Sequence, residues 1–185
     1  MTLAHSETGL MGALADLLVE LEAEHHRSGW DERPATLYIV CRSHDTTLRI
    51  APCELILAGA HPRDQLRAIA QVTTEHASEV RDTLPPGVPV AAALVTEAWG
   101  SDDPEAHVAV EERGARLADI VGSRECRWAL AVCGKHRLSV NRLRGESPRY
   151  HRSSPEDLRG TIPEALAAVY RATRRVYANA PGGYS

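Results

Sequence analysis

The sequence predicts an α+β protein: a single antiparallel five-stranded sheet packed with helices, in the order α-β-β-α-β-(α)-β-β-α. Three observations lead there. Apolar residues recur at helical spacing near the start, in the first half and at the end of the chain. The stretches between them are short and rich in β-branched residues. They also come as hairpin pairs, whereas a parallel sheet would need strands alternating singly with helices.

The elements follow in order. In residues 8–27, Leu10, Leu14, Leu17, Leu18 and Leu21 fall on one helical face, Asp16, Glu20 and Glu24 lie away from it, and Ser28-Gly29 supplies the stop. After Pro34, TLYIVC reads as a strand; the polar RSHD then turns the chain into TTLRI. Residues 61–82 form a second helix with Pro62 in its first turn, burying Leu66, Ile69, Ala70, Thr73, Ala77 and Val80. LPPGVP ends it and VAAALVTEAW is the third strand. A short helical insert is expected from Asp103-Pro104 to about Val121. ECRWALAV and RLSVNRL form a hairpin around CGKH, with Cys126, Trp128, Leu130 and Val132 on one face. TIPE has the form of a capping box, and Leu166, Val169, Tyr170, Thr173 and Tyr177 align on a closing helix. Residues 1–178 are expected as one domain and 179–185 as a mobile tail.

The chain has 185 residues, 43% of them hydrophobic, enough for a real core, and Phe is absent, so aliphatic side chains must build it. No stretch approaches the roughly 18–20 apolar residues of a membrane helix, and the N-terminus lacks the pattern of a signal peptide. A cytoplasmic location is expected, with Cys41, Cys53, Cys126 and Cys133 reduced. The net charge of −4 is unevenly spread: residues 1–123 carry −11 and residues 124–185 carry +7, with one lysine, Lys135, among 21 basic residues. Such an Arg-rich third can bind nucleic acid, although it can equally fold against the acidic remainder. Zinc-finger spacing, an RNP string and a phosphate loop are all missing.

Two Cys-x-x-His strings, CRSH (Cys41 to His44) and CGKH (Cys133 to His136), raise a metal reading. With Gly134-Lys135 as a two-residue loop, Cys133 and His136 oppose each other with Cβ atoms roughly 4.5–5.5 Å apart. That separation suits joint binding of Zn²⁺, and a clip of Cys41, His44, Cys133 and His136 would supply four ligands. The competing reading is an ordinary hairpin turn. Lys135 and His136 would also favour a Cys133 thiolate, but sequence names no third group for a nucleophilic site. A second candidate surface gathers Trp30, Asp31, Glu97 and Trp99. Glu97 and Trp99 share a strand face with Val95, and Arg142 or Arg144 is the expected partner of the carboxylate.

The element order resembles roadblock and profilin-like domains, whose strands lie 2-1-5-4-3 and which act as interaction platforms that often dimerise. GWDERP (Gly29 to Pro34), VTEAW (Val95 to Trp99), SRECRWALAV and the downstream RLRG resemble a family of actinobacterial and actinophage proteins. Members share a Gly-Trp-Asp-x-x-Pro entry to the first strand, a Thr-Glu-Ala-Trp strand end and an Arg-x-Arg-Gly exit from the last. That family has no assigned activity, so the resemblance implies no catalytic residue. Its members usually have Asp-x-x-Gly where this chain has Cys133 to His136. The expectation is a non-catalytic interaction or accessory module, binding a protein partner or itself as a homodimer, with no membrane contact and no catalytic residue. The alternative is a regulator that binds nucleic acid or zinc through the Arg-rich last third and the two Cys-x-x-His turns.

Overall fold

Strand β3 (Val88–Gly100) organises the molecule, because its residues 89–96 are buried on both faces. Around it the computed structural model places α1 (Leu3–Arg27), β1 (Thr36–Arg42), β2 (Leu48–Glu54), α2 (Pro62–Glu75) and α3 (Ala77–Thr83) before it in sequence. After it come β4 (Arg124–Cys133), β5 (His136–Leu143), β6 (Arg149–Ser153) and α4 (Thr161–Ala178). The structure describes residues 3–30, 34–55, 61–101, 105, 108–109, 116–153 and 160–178. Asp31, the tail 179–185 and most of the expected insert lie outside the described residues. Within that insert Glu105, Val108 and Ala109 are helical, and Leu117–Asp119 forms a turn of 3₁₀ helix.

The strands form one antiparallel sheet in the order β2-β1-β3-β4-β5-β6. The α+β class and the single antiparallel sheet agree with expectation, and β6 is an additional edge strand. The 2-1-5-4-3 arrangement does not hold: β1 pairs with β3, from Thr36↔Val95 to Arg42↔Val88. The physical reason lies in VAAALV. A strand apolar at every position must be covered on both faces and flanked on both sides, so it belongs in the middle of a sheet and not at its edge. Polar β2, containing Pro52, keeps the expected edge, where proline is tolerated, and β6 takes the other.

Helix α1 crosses one face, over β3, β4 and β5, and α4 crosses the other, with α2 packed beside it. Two cores result. Met11, Leu14, Leu18 and Leu21 meet Tyr38, Val40, Val95, Ala129 and Val140 on the α1 face. Leu37, Ile39, Leu94, Leu130 and Val132 meet Leu66, Leu166 and Val169 on the other. The helix expected over 61–82 is interrupted at His76, whose φ of −117° and ψ of 43° are not helical. Thr73, Thr74, His76 and Ser78, all weak helix formers, surround the break. Among the described residues no helix is long and apolar enough to cross a membrane.

Candidate functional site: a charged corner around Trp30 and Arg127

Both Cys-x-x-His strings lie at one end of the sheet, but they do not converge. The CGKH hairpin has the expected form: Cys133 pairs with His136, and Gly134 at φ 59° occupies the first central position. CRSH is not a two-residue turn. Strand β1 ends at Arg42 and β2 starts at Leu48, leaving a five-residue loop with Thr46 at φ 67°. Cys41 therefore opposes Arg49, and His44 sits exposed in the loop. Strand β3 also stands between β1 and β4, so the hairpins are roughly 10 Å apart across the sheet. Cys41 is buried on the α4 face, 3.7 Å from the Tyr177 hydroxyl, whereas Cys133 packs on the α1 face. The four-ligand clip is thus corrected on geometry. Among the described residues no group of three or more His, Cys, Asp or Glu side chains is placed to hold one metal ion.

The opposite end of the sheet gathers the second set of candidates. Strand alternation carries Glu97 of β3 opposite Arg127 of β4, and Arg127 opposite Arg142 of β5, all on the α1 face. Two arginines directly opposed on one face repel unless acids flank them. The flanks are supplied: Arg127 Nη2 donates to Glu97 Oε1 at 2.5 Å, and Arg142 donates through Nε and Nη2 to Glu22 at 2.7 and 2.8 Å. The expected partner of Glu97 was Arg142 or Arg144; it is Arg127. Glu22 comes from α1, one turn beyond Leu18 on the helix's buried face, and is itself fully buried. His25, the next buried position, lies 3.0 Å from the Tyr38 hydroxyl through Nε2.

The end of α1 completes the corner. Gly29, at φ 95°, turns the chain out of the helix in the left-handed conformation glycine adopts readily. Its carbonyl then accepts from Arg127 Nη2 at 2.5 Å. Trp30 follows and lies over two guanidinium groups, with Arg127 at 4.5 Å and Arg144 at 5.5 Å from the ring centroid. Desolvated cation–π contacts of this kind contribute about 2 kcal/mol, exposed ones less. Arg144 also pairs with Glu125, whose cross-strand neighbour on β3 is Trp99. Arg127 Nε and Nη1 are buried and have no hydrogen-bond partner among the described residues.

Trp30, Glu97, Trp99, Arg142 and Arg144 therefore do meet at one corner, with Asp31 outside the described residues. Sequence reading missed Arg127 and Glu22, the two buried charges that tie the corner together. Signals existed for both: Arg127 alternates with Ala129 and Ala131 on an inward face, and Glu22 continues the Leu14, Leu18 stripe. Chemically the corner offers shape and charge. Each of its acids Glu22, Glu97 and Glu125 faces a guanidinium, which neither gives nor takes a proton near neutral pH. Comparison with family models, with curated proteins and with solved structures returns no match to this chain.

Proposed function

We propose that this protein is a non-catalytic interaction module that engages a protein partner, a second copy included, through the corner of Trp99, Trp30 and Arg144. One observation carries this reading: Trp99 is 42% exposed on a strand end whose neighbouring charges are already paired. Trp and Arg dominate binding hot spots, because a rigid aromatic face loses little entropy when it is covered. The ion pairs beneath hold that face in place without competing for the partner. The strings GWDERP, VTEAW and SRECRWALAV contribute Trp30, Glu97 with Trp99, and Glu125 with Arg127 to this corner.

The test is Trp99→Ala, measured by light scattering for self-association and by affinity capture for a partner. The variant should lose a complex that wild type forms while its unfolding midpoint stays the same. A complex retained by Trp99→Ala, or no complex formed by wild type under either measurement, overturns the reading.

A second reading rests on the opposite end of the sheet. A depression of about 330 Å³ there is lined by Arg42, Lys135, His136 and Arg174, with no carboxylate in its lining among the described residues. Such a site suits an anion, and phosphate contacts of this kind give salt-dependent nucleic-acid binding. Fluorescence anisotropy with single-stranded DNA and RNA at low ionic strength tests it. Binding that weakens with salt and falls in Arg42→Ala/Arg174→Ala supports the reading; no binding of either strand ends it.

A further inference from the structure

A cavity of about 390 Å³ opens on the side of the molecule away from the charged corner. It exists because α2 packs on α4 and not on the β1–β2 edge of the sheet, leaving a gap between the helix and the strands. Leu37 and Ile39 of β1 form its floor, Val169 comes from α4, and Ala68 and Val72 of α2 stand exposed at its mouth. Nearly all of its surface is apolar. Polar groups interrupt that surface at four places: Gln65 and Thr73 on α2 and Thr173 on α4, all buried, and exposed Thr83 at the end of α3. Among the described residues no Lys, Arg or His lines the cavity, and the one carboxylate is Glu54.

We infer that this cavity binds an uncharged, mostly apolar small molecule carrying one hydrogen-bonding oxygen. Its volume falls at the small end of ligand pockets, roughly 300–1,000 Å³. Filled at the density of a protein interior, ~0.75, it takes on the order of ten to fifteen non-hydrogen atoms. An apolar body replaces water poorly held by aliphatic walls. The Thr83 hydroxyl donates to the Val80 carbonyl, which leaves the buried Thr73 and Thr173 hydroxyls, beside Gln65, to meet a ligand oxygen. An anionic headgroup finds no cation and meets Glu54, so a fatty acid is disfavoured against the corresponding alcohol. Cys53, beside Glu54, presents a neutral thiol, since burial and then the Glu54 charge raise its pKa. The site is separate from Trp99 and does not rest on the interaction reading above.

The experiment uses the full chain and the neutral fluorophore N-phenyl-1-naphthylamine, competed with 1-decanol and with decanoate. Saturable fluorescence enhancement is expected, with 1-decanol displacing the probe and decanoate doing so at least about tenfold more weakly, the cost of burying an unpaired charge. Ala68→Trp, an exposed position at the mouth, should abolish probe binding with the far-ultraviolet circular dichroism unchanged. Thr73→Val should weaken 1-decanol about fivefold, one lost hydrogen bond, and leave the probe unaffected. Trp99→Ala should bind the probe as wild type does. Non-saturable enhancement, binding unchanged in Ala68→Trp, or equal competition by decanoate and 1-decanol each overturns the inference.

Discussion

The guanidinium of Arg127 lies against the face of Trp30, 4.5 Å from its centroid, and the same side chain holds Gly29 and Glu97. One buried cation thus fixes the exit of α1, the end of β3 and the aromatic surface between them. Two of the ion pairs at this corner, those of Arg127 and Arg142, have opposite burial asymmetry. Arg127 is 2% exposed and Glu97 22%, whereas Arg142 is 12% exposed and Glu22 0%. Removing one partner of a buried pair is costly because the other is left charged without water, about 3–5 kcal/mol at full burial. The cost should therefore be larger when the more exposed partner is removed. Glu97→Gln is expected to destabilise more than Arg127→Met, and Arg142→Met more than Glu22→Gln, by urea denaturation. Equal losses within each pair would show that shape, not stranded charge, sets the cost.

Trp30→Leu keeps apolar bulk but removes the ring from under Arg127 and Arg144. A loss of about 2 kcal/mol is expected, mostly through the desolvated Arg127 contact. A double-mutant cycle of Trp30→Leu with Arg127→Met should return a coupling near that value, and the same cycle with exposed Arg144 a much smaller one. Coupling near zero to both would reduce Trp30 to a packing residue.

Gly87 precedes β3 at φ 126°, and a Cβ built there would stand 2.5 Å from the Arg42 carbonyl oxygen. That oxygen belongs to β1 backbone and cannot rotate away. Gly87→Ala is expected to cost on the order of 2 kcal/mol, from both the positive φ and the collision. By contrast Gly134→Ala meets no atom within 4 Å and carries only the strain of its φ of 59°, so it should cost less. Thermal unfolding of the two variants gives the order directly; a reversed order would contradict the close approach of β1 to the β3 entry.

How far the sequence could be read follows from where its signals are local. The stripe of α1, the CGKH hairpin and the alternation of Trp128, Leu130 and Val132 each depend on neighbours a few residues away, and each is found as read. Strand order depends on which edges meet, and element order alone misplaced β3. The continuous apolar VAAALV held the correcting signal, because only a central strand is covered on both sides. Strand β6, RYHRS, has no apolar alternation to announce it and is added through its ladder with β5. At the charged corner the types were legible but not the pairing. Arg127, Arg142 and Arg144 all lie near Glu97 in the sheet, and helix α1 decides between them by bringing Glu22 onto Arg142.

The zinc clip gives an analytical prediction. Cys41 lies on the face opposite Cys133, so it cannot join Cys133 and His136 around one ion without a strand turning over. Metal analysis of tag-free protein should return the same zinc content for wild type and Cys41→Ser. Loss of about one equivalent on that substitution would restore the four-ligand arrangement.

Alkaline pH should weaken the fold through its cysteines. Cys126 is buried on β4, and burial, then the charge of Glu125, pushes its thiol up to about 11 from 9.0. Burial also raises Cys41, against a smaller opposing hydrogen bond from Tyr177. The sign follows from proton counting. Above the unfolded pKa the unfolded chain releases the thiol proton while the folded chain retains it, so the folded state binds more protons and stability falls as pH rises. The stabilisation is complete below about pH 8.5 and is lost through the window up to about 11, the Cys126 share being on the order of 3 kcal/mol. Cys126→Ala removes that titrating group. Urea midpoints at intervals across this range should decline more steeply in wild type than in Cys126→Ala, with the two curves parallel below about pH 8. Identical slopes in both proteins would mean that the Cys126 thiol is not held in the apolar, Glu125-flanked position described.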